Sequence, residues 1–276
     1  MKHVKDGNYL LITVSMLIFA YTGCTDNITG RFQVVFLPEN QLQSLAAQEY
    51  RQFLGEHTIL PQFRDPQANL VRKVGQKLTE AVSVYYKLEH INPGRLDNYH
   101  WEYSVIESPE VNAWCLPGGK IVIYSGLLNV TQNESALAVV MSHEIAHALA
   151  RHGNERMSHS MLAGGIGIVG KIFTAGNAQA RSVFEAVYPQ ASRRSVLLPE
   201  IREQELEADK LGLIFTALAG YDAREAIPLW RRMHKATSGF APPEFLSTHP
   251  SEERRIRALK CFMPQALRYL TGEQRK

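Results

Sequence analysis

The feature of this sequence that most constrains its fold is an H-E-x-x-H pattern at residues 143–147, within the stretch 133–153. On a helix, His143 and His147 project about 40° apart and lie roughly 6 Å apart along the axis, so both imidazoles can bind one metal ion. Glu144 projects about 100° from His143, which allows it to reach a water on that ion but makes it a poor ligand. The pattern therefore predicts two zinc ligands and one general base from a single helical turn.

A chance match to this short pattern is the alternative, and the flanking residues argue against it. Thr131 and Glu134 form a capping-box start, and Gly153 is a suitable helix stop. Apolar residues give the helix a buried side: Leu137, Val140, Met141 and Ala148. A zinc site also needs at least one further protein ligand, and His152, about 140° from His147 around the same helix, is poorly placed to provide it.

The stretch 199–220 is predicted to form a second helix that supplies the third ligand. Its acidic residues fall into two i, i+4 pairs: Glu203 with Glu207, and Glu205 with Asp209. Small or apolar residues surround the second pair, as expected where this helix packs on the metal-binding helix, whereas the first pair is predicted to be solvated. Because zinc compensates a buried carboxylate pair, we expect Glu205 to bind the metal and Asp209 to accept a hydrogen bond from a ligand imidazole. The alternative is a surface acidic cluster.

Short extended stretches at 99–107, 111–116 and 120–124 precede the metal-binding helix. With the predicted helices, they indicate a mainly helical α+β fold that has a small three-stranded sheet beside the H-E-x-x-H helix. An exposed edge of this sheet, which we expect at 120–124, can bind an extended peptide by strand addition; the alternative is a simple hairpin. The peptide-binding residues would be Asn112, Ala113, Gly118, Gly119 and Ile121.

The first residues are predicted to be an export signal. A basic start and an apolar run at 9–20, too short to span a bilayer comfortably, precede a small residue and Cys24. This arrangement resembles a bacterial lipoprotein signal in which Cys24 carries the lipid, and a plain secretory peptide or an uncleaved anchor are the alternatives. Because Thr25 rather than Asp follows the cysteine, the periplasmic face of the outer membrane is favoured over the inner membrane or a soluble periplasmic location.

The chain of 276 residues is long enough for one large domain or two small ones. We divide it into a signal peptide at 1–23, a lipid-anchored tether at 24–38 and a single domain at 39–276. The formal net charge is only +3 and no dense basic run is present, so nothing in the sequence indicates a nucleic-acid partner, and we expect none. Apart from Cys24, the cysteines Cys115 and Cys261 either form a disulfide in an oxidising compartment or are free thiols.

These motifs resemble zinc metallopeptidase family forty-eight, a group of gluzincins. The H-E-I-A-H pattern and E-x-E-A-D at 205–209 match two motifs of the family. Three further stretches are similar to it: T-G-R at 29–31, as in its periplasmic lipoprotein members, N-A-W-C-L-P-G-G-K-I-V-I-Y at 112–124, and F-L-S-T-H-P-S at 245–251. The resemblance implies a gluzincin-type peptidase domain in which His143, His147 and Glu205 hold one zinc ion per chain.

The resemblance also implies roles for residues near the metal. Glu144 matches the catalytic glutamate of the family, and Asp209 matches its supporting acid. His249 and Arg255 match a histidine and an arginine that lie near the active site and can face the substrate oxyanion, and the histidine can also cap the zinc in a closed form. Spacing alone does not show this, because a histidine before a proline in a loop is usually a surface residue.

The function implied is that of a zinc metalloendopeptidase of the bacterial cell envelope that cuts misfolded or misassembled envelope proteins, a quality-control hydrolase. Its partners would be a peptide substrate, the membrane through Cys24, and envelope assembly or chaperone proteins. The alternative is an envelope chaperone or assembly factor in which zinc stabilises the fold and proteolysis is minor or latent. Glu144 argues against this alternative, because a structural zinc site needs no base. A latent enzyme that a partner opens is a third possibility.

Overall fold

The computed structural model describes residues 24–26, 28–163, 199–235, 249 and 253–271. The strands are β1 (Cys24–Asp26), β2 (Phe32–Val34), β3 (Glu102–Ile106), β4 (Ala113–Leu116) and β5 (Lys120–Tyr124). The helices are α1 (Glu39–Gly55), α2 (Pro66–Leu88), α3 (Ser125–Thr131), α4 (Glu134–Leu149), α5 (His152–Ala163), α6 (Pro199–Leu218), α7 (Ala226–Lys235) and α8 (Glu253–Thr271). These elements confirm the predicted mainly helical α+β fold with a small three-stranded sheet.

The three-stranded sheet has the order β3-β5-β4. Strand β5 pairs in parallel with β3, where Ile121 lies opposite Tyr103, and antiparallel with β4, where Ile121 lies opposite Cys115. The prediction that 120–124 forms an edge of the sheet is therefore wrong, because β5 is the central strand. The local pattern gives no sign of this, since the parallel pairing joins strands that no hairpin connects.

Helices cover both faces of this sheet. On one face, Ile121 and Ile123 belong to the main core together with residues of α2, α4 and α6. On the other face, Trp114 and Val122 pack against Tyr50 of α1. Alternate residues of β5 thus enter two different cores, which explains why the whole strand is buried although side chains alternate along it.

Two smaller features are the turn after β4 and the state of the cysteines. A turn at 117–119 joins β4 to β5, and Gly118 and Gly119 have φ values of +82° and +86°, which favour glycine. The sequence did not decide whether Cys115 and Cys261 form a disulfide. Both are free thiols, and Cys115 is buried whereas Cys261 is exposed.

The predicted helix at 133–153 is two helices. Asn133, rather than Thr131, caps α4, because its side chain accepts a hydrogen bond from an amide of the first turn. Helix α4 ends at Leu149, Arg151 has a left-handed φ of +57°, and α5 begins at His152. The position of His152 therefore does not follow the 3.6-residue period of α4.

Helices α4 and α6 pack closely where Gly212 of α6 faces the backbone of α4. A Cβ atom on Gly212 would lie 3.1 Å from the His143 amide nitrogen and 3.2 Å from its Cα atom. Beside this contact, the hydroxyls of Ser142 and Thr216 lie 2.7 Å apart. The predicted small-residue side of the second helix thus brings its carboxylates to the histidines of α4.

The predicted tether at 24–38 is packed on the domain. Strand β1 pairs antiparallel with β2, and the Phe36 amide that follows donates to Ser158 Oγ of α5 at 2.8 Å. Asn154 Nδ2 of the same helix donates to the Leu37 carbonyl at 2.9 Å. The predicted signal peptide at 1–23 lies outside the described residues. Among the residues that are described, no helix combines the length and the apolar character that a bilayer crossing requires.

Candidate metal centre

Helices α4 and α6 bring the three predicted ligands together, and all three are buried. The Nε2 atoms of His143 and His147 lie 3.1 Å apart, and each lies 3.3 Å from one oxygen of Glu205. Donor atoms around a tetrahedral zinc ion with bonds of about 2.0–2.1 Å are roughly 3.3 Å apart. The two imidazole nitrogens are close to this spacing, and each lies at it from a different oxygen of Glu205, so the three side chains fit a zinc ion in both spacing and chemistry.

His249 brings a fourth donor to the same place. Its Nδ1 atom lies 3.0 Å from Glu205 Oε1 and 3.2 Å from His143 Nε2. One ligand atom from each of the four residues can be chosen so that all lie within 4.8 Å of one another. His249 is therefore at the metal centre, as the family resemblance implies, and its ring stands where a fourth zinc ligand would stand.

Asp209 and Arg255 support the His143 side of this cluster. Asp209 Oδ1 lies 3.1 Å from His143 Nδ1, so the carboxylate can hold the ring with Nε2 turned towards the metal position. Arg255 of α8 donates to both oxygens of Asp209 at 2.8 Å and 2.7 Å, and its Nη1 lies 3.0 Å from Glu205 Oε2. The guanidinium carbon also lies 4.1 Å from the centroid of the Trp230 ring.

His152 and Glu207 support the His147 side. His152 Nδ1 lies 2.8 Å from His147 Nδ1, and His152 Nε2 lies 3.0 Å from Glu207 Oε2. The prediction that Glu207 is solvated is wrong, because only 7% of the residue is exposed. The helical wheel shows which residues share a side of α6, but it cannot show that the break after α4 places His152 on that side.

The charges of the cluster favour a cation at the ligand position. Burial alone would raise the pKa of Glu205, but His249 and Arg255 outweigh this effect and hold that pKa well below its usual range. Burial also opposes a charge on His143, yet the carboxylates of Asp209 and Glu205 raise the pKa of its imidazole to about 9. The carboxylates of Asp209 and Glu205 therefore stabilise positive charge at His143, beside the ligand position.

The imidazole of His147 is in the neutral form that metal binding requires. Burial holds the pKa of His147 well below its usual value, although Glu205 partly opposes this shift. Burial likewise lowers the pKa of His152 against the opposing effect of Glu207. Both rings are therefore neutral near pH 7, and a neutral ring can present a lone pair to a metal.

Glu144 lies next to the cluster on α4 and is 3% exposed. Its Oε1 atom lies 3.4 Å from His249 Nε2. Burial raises the pKa of its carboxyl group, and His249 opposes this shift. A buried carboxylate with a raised pKa beside a metal position is suited to accept and return a proton.

The structure separates the residues predicted to bind the substrate. Asn112 and Ala113 lie at the start of the edge strand β4, and the Ala113 amide donates to the Asn112 side chain at 2.9 Å. Gly118 and Gly119 form the turn, where their carbonyls accept from His100 and Glu102. The prediction for Ile121 as a peptide-binding residue is wrong, because it is fully buried in the central strand.

An H-E-x-x-H helix with a glutamate from a second helix places this centre in the class of gluzincin-type metallopeptidases. Residues 83–262 match the family model described as Peptidase family M48. Because the match covers more than half of the chain, the protein belongs to this family. The predicted membership of a metallopeptidase family is confirmed, and the described residues contain a group that could hold a metal ion.

Several curated relatives resemble the chain over part of their length. Mitochondrial metalloendopeptidase OMA1 of Saccharomyces cerevisiae is 32% identical over 218 residues, which are 76% of this chain and 60% of that protein. Metalloendopeptidase OMA1 of Homo sapiens is 29% identical over 259 residues, 87% of this chain and 46% of that protein. The beta-barrel assembly-enhancing protease of Escherichia coli is 31% identical over 161 residues, 56% of this chain and 33% of that protein. The chain thus spans about three fifths or less of the length of these relatives.

The contact between Asp209 and His143 generates a prediction about metal affinity. Asp209→Asn keeps the size of the side chain but removes the charge that holds the ring and pairs with Arg255. We expect zinc affinity to fall by about tenfold, the lower end of the usual effect for such supporting partners. Competition with a chromophoric chelator measures the change. Glu203→Gln, an exposed change on the same helix, is the matched control, and an equal loss in both variants would contradict the role of Asp209.

Proposed function

We propose that the chain is a zinc-dependent endopeptidase of the bacterial cell envelope that hydrolyses misfolded or misassembled envelope proteins. The observation that carries this proposal is the buried carboxylate of Glu144 beside three convergent ligand atoms. A purely structural zinc site needs no such base. The envelope substrate class rests on the lipoprotein-like signal and the family resemblance, and the Escherichia coli relative is named as a protease of β-barrel assembly.

In the proposed reaction, a zinc ion held by His143, His147 and Glu205 would supply Lewis acidity to a water molecule and to the scissile carbonyl. Glu144 accepts the proton of the attacking water and then delivers it to the nitrogen of the leaving amine. Asp209 and His152 keep the two imidazoles aligned throughout. His249 Nε2, 3.4 Å from Glu144, is the group that would face the oxyanion when His249 turns away from the ligand position.

Arg255 has a more limited role in this arrangement than the family resemblance implies. Its nitrogens contact Asp209, Glu205 and the His249 carbonyl. These contacts support a role in holding the ligand carboxylates and the His249 backbone. Direct stabilisation of the oxyanion by Arg255 stays a prediction.

The substrate would be an extended peptide that adds to the edge strand β4. The antiparallel pairing of β4 with β5 directs alternate backbone groups outwards, and the Ala113 amide belongs to the outward set, since it donates to the Asn112 side chain rather than to β5. A carbonyl of the bound peptide that displaces the Asn112 side chain would accept the first hydrogen bond between β4 and the added strand, from the Ala113 amide. Burial, and after it the charge of Glu144, raises the pKa of the Cys115 thiol on this strand, so the strand lies within reach of the charge of the base.

The proposed location is the periplasmic face of the outer membrane, with a signal peptide at 1–23, a lipid on Cys24, a connecting segment at 24–38 and one peptidase domain at 39–276. The inner membrane and the soluble periplasm are the alternatives. The first residues of the sequence support the lipid anchor. Labelled palmitate should be incorporated into the wild-type chain in a bacterial host and should be absent from the Cys24→Ser variant. Labelling of both chains would contradict a lipid on Cys24.

Glu144→Gln tests the proposed peptidase. The variant keeps the shape of the side chain but removes the base, so we expect unchanged zinc content and a kcat lower by about 10²–10⁴-fold. Zinc content and cleavage of an unfolded protein such as casein are measured side by side, with Glu203→Gln as control. The inactive variant also retains bound peptide, which cross-linking can map to β4. Undiminished cleavage by the variant would refute the proposal.

An envelope chaperone or assembly factor is the second candidate, and the fourth donor from His249 favours it, because four protein ligands are typical of structural zinc sites. The same Glu144→Gln variant separates the two functions in cells. Full restoration of envelope function by the variant in a deletion strain supports the chaperone. Failure of the variant where the wild type succeeds supports the peptidase.

His249 provides a separate prediction about latency. Because its Nδ1 atom stands where a water must bind, we expect the purified wild-type chain to be only weakly active. His249→Ala frees that position and also removes the group assigned to the oxyanion, so a peptidase rate at least severalfold above wild type would show that blocking the water position is the dominant effect of His249. Initial rates at matched zinc content measure this effect. A large loss of rate in the variant would show instead that His249 acts mainly on the oxyanion.

A further inference from the structure

The segment predicted to be a tether reaches the back of the metal centre. We call β1, β2 and residues 28–31 between them the N-terminal hairpin. Arg31 Nη1 and Nη2 each donate to one oxygen of Glu155 at 2.7 Å, and Arg31 Nε donates to Glu207 Oε2 at 2.8 Å. The Thr29 hydroxyl donates to the other oxygen of Glu207. The hairpin therefore binds a carboxylate that itself contacts His152, the ring next to the predicted ligand His147.

The contacts continue from Glu207 to a metal ligand with one consistent assignment of protons. A carboxylate can only accept, so His152 Nε2 donates to Glu207 across 3.0 Å. The other nitrogen of neutral His152 then accepts from His147 Nδ1 across 2.8 Å. With its proton on Nδ1, His147 presents the lone pair of Nε2 to the ligand position. Each contact thus fixes the orientation and tautomer of the next ring.

We infer that Thr29 and Arg31 are positioning residues of the metal centre, which act on His147 through Glu207 and His152. The inference rests on the proposed zinc site but not on the identity of the substrate. It makes the N-terminal hairpin a part of the centre, so the first structured residues after Cys24 contribute to metal binding. Neither residue touches the metal position itself.

The two ligand imidazoles are supported in parallel ways, which strengthens this inference. His143 is held by Asp209, and Asp209 is held by Arg255 of the C-terminal helix α8. On the other side, the carboxylate of Glu207 is held by Arg31 and orients His147 through the inserted ring of His152. In both cases, an arginine compensates a buried carboxylate that would otherwise be costly next to a second carboxylate.

A purely structural role for Arg31 is the competing explanation. Arg31 also pairs with Glu155, which accepts a further hydrogen bond from Gln204 Nε2 at 2.8 Å. This pair would anchor the hairpin to α5 and α6 without any effect on the metal. The two explanations differ in what the loss of Arg31 changes: stability alone, or stability together with the geometry and affinity of the metal site.

The experiment uses the full chain with three substitutions and two controls. Arg31→Met removes both contacts, Arg31→Lys keeps the charge but loses the forked geometry, and Thr29→Val removes only the hydroxyl that donates to Glu207. Glu155→Gln is the control for anchoring. Arg232→Met is the control for loss of an arginine of similar exposure, since the Arg232 side chain is 23% exposed and that of Arg31 is 29% exposed.

Zinc affinity by chelator competition, the visible spectrum of the Co²⁺ form and the melting temperature are measured for each variant. We expect Arg31→Met to weaken zinc binding by about three- to tenfold and to change the Co²⁺ spectrum, with partial recovery in Arg31→Lys. Thr29→Val should show a smaller change in the same direction. Both controls should lower the melting temperature while affinity and spectrum stay at wild-type values.

A double-mutant cycle tests the route of the effect. In a His152→Ala background, the link from Glu207 to His147 is absent, so adding Arg31→Met should weaken zinc binding no further. Additive losses would show that Arg31 acts by another route and would overturn the inference. Wild-type affinity and spectrum in Arg31→Met and Thr29→Val would overturn it as well, and Thr29→Val alone decides if Arg31→Met does not fold.

These readouts separate the inference from the proposed function. If the wild-type chain binds zinc but cleaves no protein, the proposed peptidase function fails, while the affinity and spectral differences still support the inference. If Arg31→Met changes neither affinity nor spectrum while Glu144→Gln abolishes cleavage, the inference fails and the peptidase stands. A wild-type chain that binds neither zinc nor Co²⁺ would contradict both the inference and the proposed function.

Discussion

The close packing of α4 on α6 at Gly212 is the constraint on which the metal centre depends. A side chain there would press against the backbone of His143. At this separation, the carboxylate of Glu205 reaches the imidazoles of His143 and His147, and all three side chains are buried. Burial makes each polar group costly unless it is paired, so the rest of the pocket is built from partners that compensate one another.

Those partners come from both ends of the described chain. Arg255 arrives on the last helix and binds the carboxylates on the His143 side, whereas Arg31 arrives on the first hairpin and binds Glu207 on the His147 side. The sheet contributes differently, because the Ala113 amide of its edge strand β4 bonds to the Asn112 side chain rather than to β5. The metal position is thus held by elements far apart in sequence, and a fragment without either end would lack part of its support.

The centre combines features of a catalytic and of a structural zinc site. Three ligands and the buried carboxylate of Glu144 are what hydrolysis requires. His249 adds a donor at the place that a catalytic water would occupy. Both features belong together if His249 closes the site until a substrate or partner displaces it. The position of one ring then decides between a resting and a working state without any change in the ligands from α4 and α6.

The sequence by itself determined the helical fold class, the metal pair His143 and His147, and the face of the second helix that carries Glu205, because each depends on periodicity within one element. The family motifs added His249. Only the tertiary structure decided that β5 is central and that His152 and Glu207 lie behind the metal. The first depends on a parallel pairing between strands that no hairpin connects, and the second on the helix break at Arg151, where φ is left-handed, and on contacts with the N-terminal hairpin. Such long-range contacts leave no period in the sequence.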